Sequence, residues 1–222
     1  MYVIPGHLKN SSEPWAVALA GMYREKASYP APLSPAQGDL LRTFIANIAP
    51  STVLEIGCYI GISSLWIAAG LEQAGGDGIL HGVDRFNTIK PWLPHFSEPV
   101  EDPKGLAESY IRKAGLSHRV KFHKGDSCVN GKEVAASLDG LDILFIDGDH
   151  TEEGCANDFN ALSPFVKNGG YIILHDIYPE HCGWDGPRKL IDGRLKNDPG
   201  YELLEIHTSP ADYGIALIRK LG

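Results

Sequence analysis

The feature that most constrains the fold is an alternation of short apolar runs with longer segments of helical periodicity, beginning at residue 52. The apolar runs have strand length, and they are TVLEIG (52–57), ILHGVD (79–84), RVKFHKGD (119–126), DILFID (142–147) and GGYIILHD (169–176). The segments with helical periodicity lie between and after them, at 61–73, 105–115, 132–138, 151–165 and 187–197. Strands and helices in this order predict an α/β fold, a doubly wound parallel sheet with helices on both faces.

Two further strand patterns, 201–207 and 213–220, close the chain, and the connection between them is too short for a helix. We therefore expect these two strands to pair in antiparallel fashion. A length of 222 residues suits one domain of this class, and we place it at residues 34–222, after a Ser-Pro helix start. Residues 1–33 are predicted to form a preamble with one short helix, available for a substrate contact or a homodimer contact.

The composition excludes several classes of partner. The net charge is -8 and the isoelectric point is about 5.5, so electrostatics do not favour nucleic acid or an anionic membrane. No apolar run approaches the roughly 20 residues that span a bilayer, and the first residues lack a signal-peptide pattern. The four cysteines are scattered and form no CxxC motif. These features predict a cytoplasmic protein with reduced thiols.

The turn after the first strand, VLEIGCYIG (53–61), is the strongest local motif. Gly57 and Gly61 stand where a missing side chain lets the backbone approach a ligand at a helix N-terminus. Tyr59 occupies the place of the middle glycine of the dinucleotide fingerprint, which disfavours a nicotinamide cofactor. Glu55 is a charged residue inside an apolar strand, where it needs a partner. A cationic group of a ligand is a natural partner.

Acidic residues also end the next two strands. Asp84 could accept hydrogen bonds from ribose hydroxyls, and Asp126 in GDS (125–127) could accept from an adenine amino group. Each could equally be a cap or a turn residue. Because the turn lacks Lys and Arg, a phosphate ligand is disfavoured, and a nucleoside carrying an amine and a sulfonium fits better.

With these motifs in this order, the chain resembles the class I S-adenosylmethionine-dependent methyltransferases over roughly residues 35 to 220. The resemblance implies a Rossmann-like, seven-stranded sheet that is mostly parallel, with the last strand antiparallel. It implies that Glu55, Gly57 and Gly61 face the methionine part of the cofactor, Asp84 the ribose and Asp126 the adenine edge. Further contacts to the cofactor are implied for Ser63, Ser127 and Asp147.

A narrower resemblance is to small-molecule O-methyltransferases of the macrolide-sugar, aminocoumarin-sugar and catechol types. It is carried by IDGDH (146–150) at the end of the fourth strand and LHD (174–176) at the end of the fifth. In the family sheet order these strands are neighbours, so Asp147 and Asp176 would converge. The carboxylates repel unless a proton or a cation lies between them.

A divalent cation held by Asp147, His175 and Asp176 is therefore predicted. The two carboxylates make Mg²⁺ the expected ion, and His175 makes Mn²⁺, Fe²⁺ or Zn²⁺ the alternatives. The alternative is that Asp147 bonds to backbone or cofactor and that Asp176 caps the following loop.

Asp149 and His150 are the predicted catalytic bases, with Asp149 preferred by the family resemblance and His150 favoured by its intrinsic pKa. Two loops, 85–104 and 177–186, are candidate substrate walls. Trp92 and Trp184 in these loops could stack on a substrate ring, or could serve only loop packing.

These patterns predict an S-adenosylmethionine-dependent O-methyltransferase that acts on a small hydroxylated molecule, a sugar or a secondary metabolite, with a divalent metal. Two alternatives remain at this point. One is a metal-independent small-molecule methyltransferase, and the other is a non-catalytic protein that binds a nucleoside cofactor.

Overall fold

A seven-stranded sheet runs through the computed structural model, which describes residues 2–30, 32–91, 94–208 and 212–222. The strand order is β3-β2-β1-β4-β5-β7-β6, and β7 is antiparallel to both of its neighbours. The strands are β1 (Thr52–Ile56), β2 (Ile79–Asp84), β3 (Val120–Lys124), β4 (Leu141–Ile146), β5 (Val166–His175), β6 (Tyr201–Ile206) and β7 (Ile215–Lys220). The doubly wound architecture with an antiparallel last strand is confirmed, and β7 lies between β5 and β6, which leaves β6 at the edge.

Helices cover both faces of this sheet, as the alternating pattern predicted. They are α1 (Gly6–Lys9), α2 (Pro14–Met22), α3 (Pro35–Ile48), α4 (Ile62–Ala74), α5 (Pro103–Lys113), α6 (Lys132–Ala136), α7 (Glu152–Leu162), α8 (Pro179–Cys182) and α9 (Gly186–Gly193). None of the described helices is both long and apolar enough to cross a membrane.

The central strand β4 shows how the sheet divides the core. Leu144 and Ile146 pack against one face with residues of α7 and α9. Ile143 and Phe145 pack against the opposite face with residues of α3 and α4. Because successive side chains of a strand point to opposite faces, a continuous apolar run requires cover on both sides. The apolar sequence of β4 therefore fixes its central position.

Helix α3 begins with the predicted Ser-Pro start. Ser34 Oγ accepts a hydrogen bond from the Gln37 backbone N–H at 3.2 Å, and Gln37 Oε1 accepts from the Ser34 N–H at 3.1 Å. This reciprocal capping box satisfies two backbone donors that the helix cannot pair. It also fixes the buried side chain of Gln37, which points toward the end of β5.

The segment before residue 34 packs into the same core as the rest of the chain. Leu19, Met22 and Tyr23 are buried together with Trp66 of α4, which the sequence placed in the core. Trp66 Nε1 donates to the Tyr23 hydroxyl at 2.8 Å, and that hydroxyl donates to the Leu33 carbonyl at 2.9 Å. The preamble is therefore a structural layer over α4 as well as a route to the functional site.

Candidate active site

A cavity of about 420 Å³ opens over the carboxyl ends of β1, β2 and β4. This is where ligands bind in open α/β sheets, and the volume lies in the range of small-molecule sites. The predicted residues that line it are Gly57, Ser63, Asp84, Ser127, Asp147, Asp149 and His150. Seven sequence-predicted positions therefore share one cavity wall.

The turn after β1 is shaped by a glycine at a close approach. Gly57 has a φ of +84°, and a Cβ there would lie 2.1 Å from the backbone oxygen of Asp147. Only a glycine allows the β1 turn to lie against the end of β4. Gly61 differs, because a Cβ there would lie 2.7 Å from the Ala107 Cβ. Its missing side chain makes room for α5, and the structure does not bring Gly61 to the cavity wall.

Asp84 holds this turn in place. Its Oδ2 accepts hydrogen bonds from the backbone N–H groups of Cys58 and Tyr59 at 2.9 and 3.0 Å. Its Oδ1 accepts from the Phe86 N–H at 2.5 Å. The carboxylate thus lines the cavity and also fixes the backbone of the turn after β1 and of the residues after β2. Its predicted contact with a ribose stays a prediction.

Glu55 lies beneath the turn and is fully buried. The Ser64 hydroxyl donates a hydrogen bond to its Oε2, so a side chain of α4 provides the partner that the sequence assigned to a ligand. Burial raises the pKa of Glu55 to about 7, although hydrogen bonds from Ser63 and Ser64 act in the opposite direction. The structure does not bring Glu55 to the cavity surface.

Asp126 lies between two residues of the cavity wall and does not itself line the cavity. Its Oδ2 lies 2.7 Å from Arg85 Nη2, and its Oδ1 accepts from the Cys128 N–H at 3.0 Å. The hydrogen bond from Arg85 holds the pKa of Asp126 below its ordinary value. Gly125 and Ser127, on either side of it, form the cavity wall at this point.

Four side chains meet where β4 and β5 end, and we call Asp147, His150, His175 and Asp176 the acid–imidazole cluster. His175 Nδ1 lies 3.1 Å from Asp147 Oδ1 and 2.8 Å from Asp176 Oδ1. His150 Nε2 lies 3.1 Å from Asp147 Oδ1 and 3.0 Å from Asp176 Oδ2. The predicted convergence of the two carboxylates is confirmed, and each imidazole touches both of them.

The end of β5 has an uncommon backbone conformation. Asp176 has a φ of +58°, in the left-handed region that non-glycine residues rarely adopt. Such local strain is common at functional sites. This conformation brings the Asp176 carboxylate to the acid–imidazole cluster, so the simple capping role considered for Asp176 does not describe it.

Charges within the acid–imidazole cluster stabilise one another. Burial lowers the pKa of His150, but hydrogen bonds and charges from Asp147 and Asp176 outweigh it and raise the pKa to about 10. The same balance raises the pKa of the buried His175 well above its ordinary value. Burial raises the pKa of Asp176, but His175 and His150 outweigh burial and hold it well below its ordinary value.

Gln37 sets the orientation of the His175 ring. Its Oε1 lies 3.2 Å from His175 Nε2 and also accepts from the Ser34 backbone. An amide oxygen only accepts, so Nε2 carries a proton and donates, which leaves Nδ1 facing the carboxylates. The sequence analysis missed Gln37, although its place in the capping box of α3 was readable from the SPAQ pattern.

The cluster has the donor set of a cation site. Asp147, His175 and Asp176 each offer one ligand atom, and these atoms lie within 4.8 Å of one another. Asp176 Oδ1 is close to His175 but outside hydrogen-bond geometry, so this buried oxygen has no hydrogen-bond partner in the described part of the chain. Two carboxylates and an imidazole, one oxygen unsatisfied, fit a divalent cation.

The two predicted bases occupy different environments. Asp149 Oδ1 accepts from the backbone N–H of Thr151 at 2.9 Å and from its hydroxyl at 2.7 Å, and these bonds hold the Asp149 pKa below its ordinary value. A carboxylate engaged in this way is a weak proton acceptor. His150 lines the same cavity and contacts the cluster, so the geometry favours His150 over Asp149.

Asp158 of α7 is a second residue that the sequence analysis missed. It is 2% exposed and lines the cavity. A signal existed, because Cys155, Phe159 and Leu162 are apolar at helical spacing around it, which places one carboxylate on a buried stripe.

The two loops predicted as substrate walls, 85–104 and 177–186, contribute unequally to the cavity. Arg85 and Pro32 line the cavity, from the first loop and from the preamble. Trp184 of the second loop is 52% exposed, whereas Trp92 lies outside the described residues.

Comparison with known proteins agrees with this geometry. A family model described as a methyltransferase domain matches residues 54–177, more than half of the chain. A protein of Mycobacterium sp. (strain JLS), named provisionally as an O-methyltransferase, is 25% identical over 78% of this chain and 69% of its own length. The Streptomyces olivaceus 8-demethyl-8-(2-methoxy-alpha-L-rhamnosyl)-tetracenomycin-C 3'-O-methyltransferase is 29% identical over 45% of this chain and 25% of its own length.

Matched stretches span between 17% and 69% of the length of the curated relatives. Among solved structures, an O-methyltransferase from Bacillus cereus in complex with S-adenosylhomocysteine superimposes with a TM-score of 0.72. It is 19% identical, and the match covers 99% of this chain and 97% of that one. The chain belongs to the methyltransferase-domain family, and its seven-stranded sheet is that of the class I S-adenosylmethionine-dependent methyltransferases.

Proposed function

We propose that the protein transfers the methyl group of S-adenosylmethionine to a hydroxyl oxygen of a small molecule, with a divalent cation held by Asp147, His175 and Asp176. The observation that carries this proposal is the acid–imidazole cluster, which meets the cavity wall through Asp147 and His150. Its position beside the glycine turn puts an acidic, partly buried set of ligands next to the expected methyl donor.

The cofactor end of the cavity supports S-adenosylmethionine. Gly57 opens the turn, Ser63 begins the following helix and Asp84 lies at the end of β2. The Bacillus cereus relative of the same fold was solved with S-adenosylhomocysteine. With no lysine among the residues lining this cavity and Arg85 engaged by Asp126, a nucleoside without phosphates suits the wall better than a dinucleotide.

A small acceptor is favoured by size and charge. The cavity of about 420 Å³ is in the range of a small-molecule site, and the net charge of -8 disfavours a nucleic-acid acceptor. The Streptomyces olivaceus relative is named for the methylation of a hydroxyl on a rhamnosyl compound. We infer a sugar or a secondary metabolite with at least one free hydroxyl.

The donor set indicates which cation is expected. The two carboxylates alone favour Mg²⁺, but His175 Nδ1 lies beside an oxygen of each of them. A mixed set of oxygen and imidazole ligands favours Mn²⁺, Fe²⁺ or Zn²⁺ over Mg²⁺. When bound, such a cation lowers the pKa of a hydroxyl beside it.

The residues of the chain supply the remaining steps. Gln37 orients His175, and the strained Asp176 aims its carboxylate at the cluster. Asp84 and Gly57 hold the turn that positions the donor for in-line transfer. Asp147 and Asp176 hold the pKa of His150 at about 10; with their charge neutralised by a bound cation, the neutral imidazole at the cavity wall would be placed to take the acceptor proton.

A metal-independent mechanism is the second candidate, and one observation favours it. Both imidazoles of the acid–imidazole cluster already contact both carboxylates, which balances their charge without a cation. In that mechanism His150, once it has lost the proton that helps to balance the two carboxylates, would alone accept the proton of the acceptor hydroxyl.

One assay separates these proposals. The purified protein is incubated with S-adenosylmethionine and a panel of hydroxylated sugars and aromatic metabolites, and S-adenosylhomocysteine is quantified after EDTA treatment and after addition of Mn²⁺ or Mg²⁺. We expect turnover that EDTA abolishes and Mn²⁺ restores, with the new methyl group on oxygen by mass spectrometry and NMR. Turnover that survives exhaustive EDTA would overturn the metal-assisted mechanism, and methylation on nitrogen would overturn O-transfer.

A further inference from the structure

The carboxylate of Asp158 has a place in the cavity that the proposed reaction does not use. It lies on the buried face of α7, where Cys155, Phe159 and Leu162 are its buried neighbours along the helix. Its side chain reaches the cavity wall beside Ser127 and Gly148. A charged group on an otherwise apolar stripe costs free energy unless hydrogen bonds compensate it.

Only one of the two carboxylate oxygens of Asp158 accepts hydrogen bonds within the described part of the chain. Oδ1 accepts a hydrogen bond from the Ser127 hydroxyl, and the Cys128 thiol lies 3.7 Å from the same oxygen. Oδ2 is buried and has no hydrogen-bond partner among residues 2–30, 32–91, 94–208 and 212–222. Burial raises the pKa of Asp158. A buried acceptor left open beside a cavity is best explained by a donor that arrives with the ligand.

Gly148 leaves space beside this oxygen. A Cβ on Gly148 would lie 3.2 Å from Asp158 Oδ2 and 3.1 Å from Ile56 Cγ2. The backbone at Gly148 does not have the left-handed φ that requires glycine. Gly148 is therefore needed because a larger side chain would not fit, and not because of its backbone conformation. The space that it leaves lies next to Asp158 Oδ2.

The hydrogen-bond donors of the cofactor limit which group could be the partner of Asp158 Oδ2. S-adenosylmethionine offers ribose hydroxyls, a methionine ammonium and the 6-amino group of adenine. Asp84 lies at the end of β2, where a ribose is expected, and Asp147 lies at the methyl-transfer end. Asp126, the predicted partner of the amino group, already has Oδ2 on Arg85 and Oδ1 on the Cys128 N–H.

We propose that Asp158 Oδ2 accepts a hydrogen bond from the adenine 6-amino group and makes the site selective for adenine among purines. This rests on the proposed binding of S-adenosylmethionine. Ser127 then acts as a positioning residue, because its hydroxyl holds Oδ1 and so leaves Oδ2 for the base.

The first test needs no variant. Isothermal titration calorimetry compares S-adenosylhomocysteine with an analogue in which hydrogen replaces the 6-amino group. We expect the wild-type protein to bind the analogue about 10- to 100-fold more weakly, as for the loss of a hydrogen bond to a charged group. Equal affinities would overturn the assignment.

The second test uses Asp158→Asn, with Asp126→Asn as the matched control. Because Ser127 and Cys128 both donate to Oδ1, the asparagine oxygen takes that position, and its NH₂ faces the adenine amino group. We expect Asp158→Asn to weaken S-adenosylhomocysteine about 10- to 100-fold and the analogue by less than about 3-fold. Asp126→Asn should not discriminate between the two ligands.

The outcomes separate this inference from the proposed function. An equal loss for both ligands in Asp158→Asn would show a structural role and overturn the inference, while wild-type binding of S-adenosylhomocysteine would leave the proposed function standing. A ligand-selective loss in Asp126→Asn would transfer the role to Asp126. Failure of the wild-type protein to bind S-adenosylhomocysteine at all would overturn both.

Discussion

At the β2 end of the cavity, Asp84 accepts three hydrogen bonds from backbone N–H groups, whereas at the β4 and β5 end Asp147 and Asp176 contact imidazoles. Backbone amides keep their protons and their positions, so they hold the Asp84 carboxylate where it shapes the turn. Imidazoles can lose a proton or give way to a cation. Aspartates at equivalent strand ends thus fix the backbone at one end of the cavity and, in the proposed mechanism, take part in the chemistry at the other.

The largest expected effect comes from the β5 end. Asp176→Asn keeps the shape of the side chain, and asparagine tolerates the left-handed φ of +58°. Because a cation contributes several kcal/mol to transition-state stabilisation, we expect turnover to fall at least about 1,000-fold. The affinity for S-adenosylhomocysteine, measured by calorimetry, should stay within about 3-fold. A parallel loss of cofactor binding would show that the two ends are not separate.

Glu55 differs from Asp84, because its carboxylate accepts a hydrogen bond from a serine hydroxyl rather than from a backbone amide. Burial raises its pKa from 4.5 to about 7. The folded chain therefore binds more protons than the unfolded chain between these values. Stability from this group is complete below the unfolded pKa and is lost as the pH rises through about 7.

Glu55→Gln removes this pH dependence. Relative to wild type, we expect the variant to gain about 3 kcal/mol in unfolding free energy between about pH 4.5 and about pH 8. Denaturant unfolding at both pH values measures the change, and the exposed Glu98→Gln is the control. A difference between variant and wild type that does not change with pH would show that Glu55 is ionised in the fold.

Asp84→Asn tests the geometric end. The substitution turns an acceptor of backbone N–H groups into a donor that faces them. We expect a loss of about 2 kcal/mol in unfolding free energy and an affinity for S-adenosylhomocysteine lower by about 10- to 100-fold. Thermal unfolding and calorimetry measure these effects, with the exposed Asp77→Asn as control. Unchanged stability with lost affinity would instead make Asp84 purely a ligand contact.

The smallest effect on turnover is expected at Asp149, which the family resemblance predicted as the catalytic base. Its Oδ1 is engaged by Thr151, so Asp149→Asn should lower turnover by no more than about 5-fold. His150→Gln, one residue along, should lower it at least about 100-fold. Steady-state kinetics with an acceptor that the panel assay shows to be methylated make the comparison. The reverse order of effects would restore Asp149 as the base.

Most of the fold was predictable because β4 is apolar from Ile143 to Ile146 and is followed directly by acids, which defines a central strand and its carboxyl end. The convergence of Asp147 and Asp176 followed from the strand order. The partners of Glu55 and Asp126 could not be predicted, because Ser64 and Arg85 reach them through side-chain rotamers that local periodicity does not encode. Gln37 lies 138 residues from His175, a separation at which a single sequence carries no pairing signal.

A divalent cation bound by the acid–imidazole cluster beside the cofactor can be measured directly. The protein, saturated with S-adenosylhomocysteine, is titrated with Mn²⁺ while electron paramagnetic resonance reports the free ion. We expect one bound Mn²⁺ per chain, released by EDTA and absent in Asp176→Asn. Binding of a cation by this cluster would be ruled out by a titration in which all added Mn²⁺ stays free, or in which Asp176→Asn binds it as the wild type does.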